Sequence, residues 1–159
     1  MPGASRAIGR LNRAGLVTVV ITNQSGVARG LLSEAALRRL HEALIGRLAR
    51  RGARLDAIYY CPHHPTAGVG KYRRRCRCRK PGPGMILRAR RDLSLDLAGS
   101  FLIGDSERDI LAGRRGGVGM NILIARAPVE GGTRADAVVA SLARAVDLVL
   151  RRLREKAGG

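Results

Sequence analysis

Apolar residues along the chain recur in turn at helical and at strand spacing. Ile8 and Leu11, three apart in residues 4–14, predict a short amphipathic helix that Gly15 ends in a left-handed cap. Residues 16–21 are a near-continuous aliphatic and β-branched run, which predicts a strand buried on both faces and stopping at Thr22. A polar, glycine-bounded loop over 23–30 follows. Ser33 then caps a helix in which Leu37, Leu40, Leu44 and Leu48 repeat at helical spacing as far as Gly52. Residues 55–60 read as a second strand, and the next twenty or so, rich in Cys, His, Pro, Gly and Arg, show no period. Pro83 opens a helix through Leu93, residues 100–103 form a short buried strand ending at Gly104 and Asp105, and a further helix runs to Gly116 or Gly117. Strands over 120–125 and 137–139 precede a closing helix marked by Leu142, Val146, Val149 and Leu153. The alternation predicts an α/β fold with a doubly wound parallel sheet, built as one domain over residues 1–159 with no repeat or linker dividing it.

Composition narrows this picture. With 159 residues, 45% of them hydrophobic, the chain has the apolar content for one core and no more. Its apolar runs stop at strand length, far short of the ~20 residues of a membrane-spanning helix. Arg6, Arg10 and Arg13 interrupt the first fifteen residues, so no secretory signal is visible and the expected compartment is cytoplasmic. A formal charge of +18 raises nucleic acid as a partner. The basic residues, however, are 27 Arg and 3 Lys, and Phe101, Tyr59, Tyr60 and Tyr72 are too few for a stacking platform. The charge is read as arginine filling ordinary surface positions, and the chain as a monomer acting on a small molecule.

All three cysteines fall in the aperiodic segment, where Cys61-Pro-His63 and Cys76-Arg-Cys78 form two close pairs of soft ligands. That spacing predicts a tetrahedral, structural Zn2+ site within a loop over 61–80. An odd number of cysteines in a leaderless chain fits a disulfide framework poorly. His64 is an alternative to His63, which is preferred because its spacing mirrors the second pair; His41 is expected to be a packed side chain. A full ligand set leaves no open position on the metal, so chemistry is expected elsewhere. Thr22 with Asn23, Lys80, and Asp105 with Asp109 each lie at a strand end or beside this loop. Strand C-termini of an open parallel sheet share one crevice, where a hydroxyl, an ammonium and two carboxylates suit phosphate and Mg2+.

The segments VVITNQSGVARG, IYYCPHH, CRCRKPGPGM and FLIGDSERDI, in that order, resemble the haloacid dehalogenase (HAD) superfamily of phosphatases. Within it the chain is similar to the zinc-containing D-glycero-D-manno-heptose 1,7-bisphosphate 7-phosphatases, whose relatives include histidinol phosphatases. The resemblance implies a Rossmann-like HAD fold and a Mg2+-dependent hydrolysis of a sugar phosphate. It gives Thr22 and Asn23 the transferring phosphoryl group, Lys80 its stabilisation, and Asp105 the Mg2+ with Asp109 in support. It sets Gln24, Ser25, Arg29 and Arg79 near the sugar and its second phosphate, with Arg79 the foremost specificity candidate. Ser106 departs from the pattern, since these phosphatases commonly carry Lys there.

One further departure concerns the nucleophile. The family's reaction passes through an aspartyl-phosphate on the first Asp of an Asp-x-Asp-Gly-Thr sequence at the end of the first strand, and none of the seven aspartates of this chain stands two before another. In the family that strand lies between the one ending at Thr22 and the one ending at Asp105. Met1-Pro2-Gly3-Ala4 resembles the segment that follows it. The expectations are a chain beginning inside the domain, a sheet missing its first strand, and little or no activity of these residues alone. A zinc-stabilised, arginine-rich nucleic-acid binder and a non-catalytic ligand-binding homologue are the competing readings.

Overall fold

The computed structural model describes residues 3–158; Met1 and Pro2 of the predicted entering segment lie outside the described residues, as does Gly159. Helix α1 spans Ala4–Arg13, and β1 Val19–Asn23. Helices α2, Ser25–Ala28, and α3, Glu34–Ala49, lead to β2, Ala57–Cys61. After the long loop come α4, Gly84–Leu93, β3, Phe101–Gly104, and α5, Glu107–Gly116. Strands β4, Met120–Ile124, and β5, Ala137–Val139, precede α6, Leu142–Ala157. Every strand pair is parallel. No helix among the described residues is long and apolar enough to cross a membrane.

Side-chain alternation along the strands builds two cores, one on each face. Ile21, Leu102 and Leu123 pack with Ile86 of α4 and Ile110 of α5. On the other face, Phe101, Ile103 and Ile122 pack with Leu11 of α1 and with Ala145 and Val149 of α6. Val20 and Ile58 pack with Ile8 and Leu48. Helices thus cover both faces, as a doubly wound sheet requires.

The strands nevertheless hydrogen-bond as two sheets, β1-β2 and β3-β4-β5. The split lies between β1 and β3, where the family resemblance places a further strand. Asp56 N–H donates to Thr18 O at 2.9 Å and Gln24 N–H to Cys61 O at 2.8 Å, so even-numbered residues of β1 face β2. By the parity of a parallel ladder, Val19, Ile21 and Asn23 turn their backbone groups to the split. Met120 N–H donates to Ser100 O, which leaves Phe101 and Ile103 turned to it from the other side. Ile21 nonetheless packs in one cluster with Leu102, so the half-sheets share a core across the gap.

Several boundaries differ from the sequence expectation. Strand β1 begins three residues late and runs through Thr22 to Asn23. Leu16 N–H is engaged in closing α1 on Leu11 O, and the ladder starts only where Asp56 Oδ2 accepts Thr18 N–H at 2.7 Å. The predicted loop over 23–30 contains the single turn α2. Ser33 does cap α3, accepting Ala36 N–H on Oγ at 3.1 Å. Of the leucine stripe, only Leu37 and Leu48 are buried; Leu40 and Leu44 are 60% and 41% exposed.

Candidate active site

Lys80 is where three segments meet. Its ammonium lies 2.6 Å from Asp109 Oδ1 and donates to Ile21 O at 3.0 Å, on the open edge of β1. Its backbone is held by Asn23 in both directions, Lys80 N–H donating to Oδ1 at 3.0 Å and Asn23 Nδ2 donating to Lys80 O at 3.2 Å. The next turn folds tightly: a Cβ on Gly84 would lie 2.6 Å from Arg77 O, and one on Gly82 would strike the same carbonyl. Asp109 is buried at the start of α5, where Oδ2 accepts the N–H groups of Asp105 and Ser106 and the Ser106 hydroxyl, at 3.2, 3.1 and 2.8 Å. Burial works against its charge, but the Lys80 hydrogen bond and ion pair with the Ser106 hydroxyl hold the carboxyl below its ordinary value. Ser106 thus serves as the helix cap that fixes Asp109. Gly104 is required beneath it, because a Cβ there would meet the Asp109 side chain. Asp105 is exposed at the end of β3. Thr22 Oγ1 accepts Gln24 Nε2 at 3.2 Å.

The four predicted zinc ligands come together. The sulfurs of Cys61, Cys76 and Cys78 and a ring nitrogen of His63 lie within 4.8 Å of one another. Zn–S bonds of ~2.3 Å set tetrahedral sulfurs ~3.8 Å apart; the three sulfurs stand at 3.1, 3.2 and 3.5 Å, somewhat closer than that, so a bound ion would spread them slightly. Burial, then the Cys78 hydrogen bond, pushes the Cys61 thiol up, so a thiolate there needs a cation beside it. Three thiols and one imidazole converging on a point one ion wide fit zinc in charge, softness and number. His64 stands outside this cluster: its Nδ1 accepts the N–H groups of Thr66 and Ala67 at 3.3 and 2.9 Å. Burial, then the charges of the Arg79 and Arg29 guanidiniums, lower the His64 pKa. Arg79 Nη1 donates to His63 O at 2.9 Å. Gln24 N–H is held on Cys61 O, and Ser25 opens α2 beside it.

Sequence reasoning missed Glu34. Tyr60 and Tyr72 both donate to its carboxylate, at 2.7 and 2.8 Å. The only sequence signal was an acidic residue following a helix cap, together with two of the chain's few aromatics.

A sequence model described as HAD-hydrolase-like matches residues 77–156. The D-glycero-beta-D-manno-heptose-1,7-bisphosphate 7-phosphatase of Yersinia pestis is 42% identical over 144 residues, covering 89% of this chain and 77% of that protein. The chain belongs to the HAD superfamily, in the heptose bisphosphate phosphatase family. Another member, the D-glycero-beta-D-manno-heptose-1,7-bisphosphate 7-phosphatase of Photorhabdus laumondii, is 45% identical over 122 residues, 77% of this chain. The chain spans just under two thirds, 65%, of that relative's length. The crystal structure of the D,D-heptose 1,7-bisphosphate phosphatase of B. bronchiseptica, complexed with magnesium and phosphate, superposes with a TM-score of 0.78 at 37% identity. It covers 96% of this chain and 84% of the solved one. The family fold predicted from the sequence is therefore the fold observed.

Proposed function

We propose that this chain carries the phosphate-binding and metal-binding part of a Mg2+-dependent phosphatase site. Its substrate is a sugar bisphosphate, D-glycero-D-manno-heptose 1,7-bisphosphate, cleaved at position 7. The observation that supports this reading is the convergence of β1, the end of the zinc loop and α5 on Lys80. Thr22 and Asn23 bind phosphoryl oxygens at the end of β1, and the Lys80 ammonium neutralises them. Asp105 is the carboxylate with oxygens exposed for Mg2+; Asp109, engaged with Lys80 and the α5 cap, supports it by holding Lys80 in place. Magnesium supplies charge neutralisation for the transferring group when bound. Arg29 and Arg79 face the second phosphate, Gln24 and Ser25 face the sugar, and zinc on Cys61, His63, Cys76 and Cys78 shapes the wall without reacting.

Transfer through an aspartyl-phosphate needs a carboxylate in line with the phosphorus, and these 159 residues contain no Asp-x-Asp to supply one. The chain alone is expected to bind the bisphosphate with Mg2+ and to release no phosphate. Calorimetric binding of heptose bisphosphate, weakened at least ~10-fold in Lys80→Met by loss of a charge-assisted contact, tests the first half. Steady phosphate release at ~1 to 10³ per second would show a nucleophile among these residues and sink the second. Histidinol phosphate in parallel assays decides the substrate class.

A further inference from the structure

The zinc loop, between Cys61 and Arg77, has few holds on the rest of the chain; its far end is fastened separately, by Asn23 on Lys80. Its only regular structure is the 3-10 turn Gly70–Tyr72, and Pro65 to Ala67 and Arg73 to Arg75 are exposed. Val69 N–H donates to Ala28 O at 2.8 Å, a single backbone bond to α2. The other tie is Glu34, in the first turn of α3, whose two oxygens each accept one phenol. Tyr60 comes from β2, one residue before Cys61, with the His41 ring edge-on at 5.6 Å. Tyr72 comes from the loop itself and lies against His63, ring centroids 6.4 Å apart. Beside Tyr72 is a cavity of about 250 Å3 bordered by Glu34, Pro62, His63, Lys71, Tyr72 and Arg74, so little other packing holds the loop there.

We infer that Glu34 is a positioning residue that latches the zinc loop to α3 through Tyr72, with Tyr60 orienting its carboxylate. Hydrogen bonds to an ionised acceptor are about twice as strong as neutral ones, so a single phenol suffices to hold a loop this sparsely packed. The latch acts on the ligand set through the contact of Tyr72 with His63, and on the candidate phosphate contact Arg79 through the His63 carbonyl. The inference rests on the zinc reading of the four ligands.

The test uses the zinc-loaded full chain, with zinc release to excess chelator followed by a colorimetric indicator and backbone hydrogen exchange followed over residues 62–76. Glu34→Ala and Tyr72→Phe each speed release about 10-fold, the loss of one charge-assisted bond. Tyr60→Phe changes release less, because its phenol stands on a strand rather than on the loop. The double variant Glu34→Ala/Tyr72→Phe releases no faster than the faster single variant, since both remove the same bond. Tyr72→Phe keeps the ring and so keeps the fold; wild-type release and wild-type exchange in this variant would overturn the latch. A wild-type chain that binds no zinc overturns the zinc reading instead, and exchange over residues 62–76 still decides whether Glu34 holds the loop.

Discussion

Removing the Asp109 carboxylate strands the ammonium at the centre of the crevice. The Asp109 and Lys80 side chains are only 9% and 14% exposed, and their charged atoms lie 2.6 Å apart. Breaking a buried pair from one side costs about 3–5 kcal/mol, chiefly because the remaining charge is left unpaired. Asp109 also receives three hydrogen bonds at the start of α5, and losing a helix cap adds about 1 kcal/mol. A domain of this length loses roughly 2–4 °C of Tm per kcal/mol, so Asp109→Ala is expected to unfold at least ~8 °C lower. Lys80→Met is expected to cost less, about 1–3 kcal/mol, because Asp109 keeps its N–H and hydroxyl donors. The double variant then costs less than the sum of the two by ~2 kcal/mol, since the second truncation removes the charge that the first left alone. Urea unfolding of the four proteins at near-neutral pH, followed by circular dichroism, gives all three differences. A cost below ~1 kcal/mol for Asp109→Ala, or additivity within ~0.5 kcal/mol, would refute the assignment of a tightly coupled pair.

Three other outcomes are expected. Cys78→Ser should abolish stoichiometric zinc binding and lower Tm, with metal content measured by plasma emission; full zinc retention would exclude Cys78 from the ligand set. Glu34 is held below the ordinary glutamate value near 4.5, first by the Tyr60 hydrogen bond and then by that of Tyr72. A depressed folded-state pKa means that its contribution is complete above the unfolded value and is lost as pH falls through the folded one. The stability difference between wild type and Glu34→Gln should therefore shrink on acidification below that range, and a difference that widens would contradict it. Amide exchange resolved by NMR should find Ile21 and Ile103 less protected than Ile122, because the first two face the split and the third lies inside a three-stranded ladder; equal protection would show the split closed by pairing.

The order of helices and strands was legible because each element carries its own period: Ile8 with Leu11, Val146 with Val149, and the aliphatic run before Thr22. Ends were less legible, since they depend on partners distant in sequence. Strand β1 starts where Asp56 receives Thr18 N–H, and no local pattern announces a residue 38 positions away. The candidate zinc ligands were readable as a cluster because four soft donors in two close pairs have few other uses, and geometry then separated His63 from His64 by giving the latter two backbone donors. Lys80 and Asp109 were weakly legible from their places beside the loop and at a strand end, because a lone Lys and a lone Asp are common everywhere, and the family resemblance singled them out. Glu34 was illegible: its role depends on two tyrosines brought to it by β2 and by an aperiodic loop. Ser106 marked a departure from the family pattern, and the structure gives it a local role as the cap of Asp109.

The split sheet explains a mismatch between the pattern of β1 and its surroundings. Val19, Val20 and Ile21 have the composition of a strand enclosed on both faces, yet every residue of β1 is only half-buried. Strand β4 has a similar apolar makeup and is bonded on both sides, and its Asn121, Ile122 and Leu123 are buried. Composition does not separate the two strands, and both have core on each face; what differs is the number of hydrogen-bonded neighbours. At the split, the Lys80 ammonium takes one edge carbonyl, Ile21 O, while paired with Asp109, which places the crevice's principal cation at the unpaired edge. A carboxylate at the end of a strand in that gap would compete directly for this ammonium, because the β1 edge without a hydrogen-bonded neighbour is also the edge on which the Lys80 ammonium lies. The apolar pattern of β1 reports the neighbours for which the strand is suited, the burial reports those it has, and the difference falls at the end of the sheet where the chemistry is proposed.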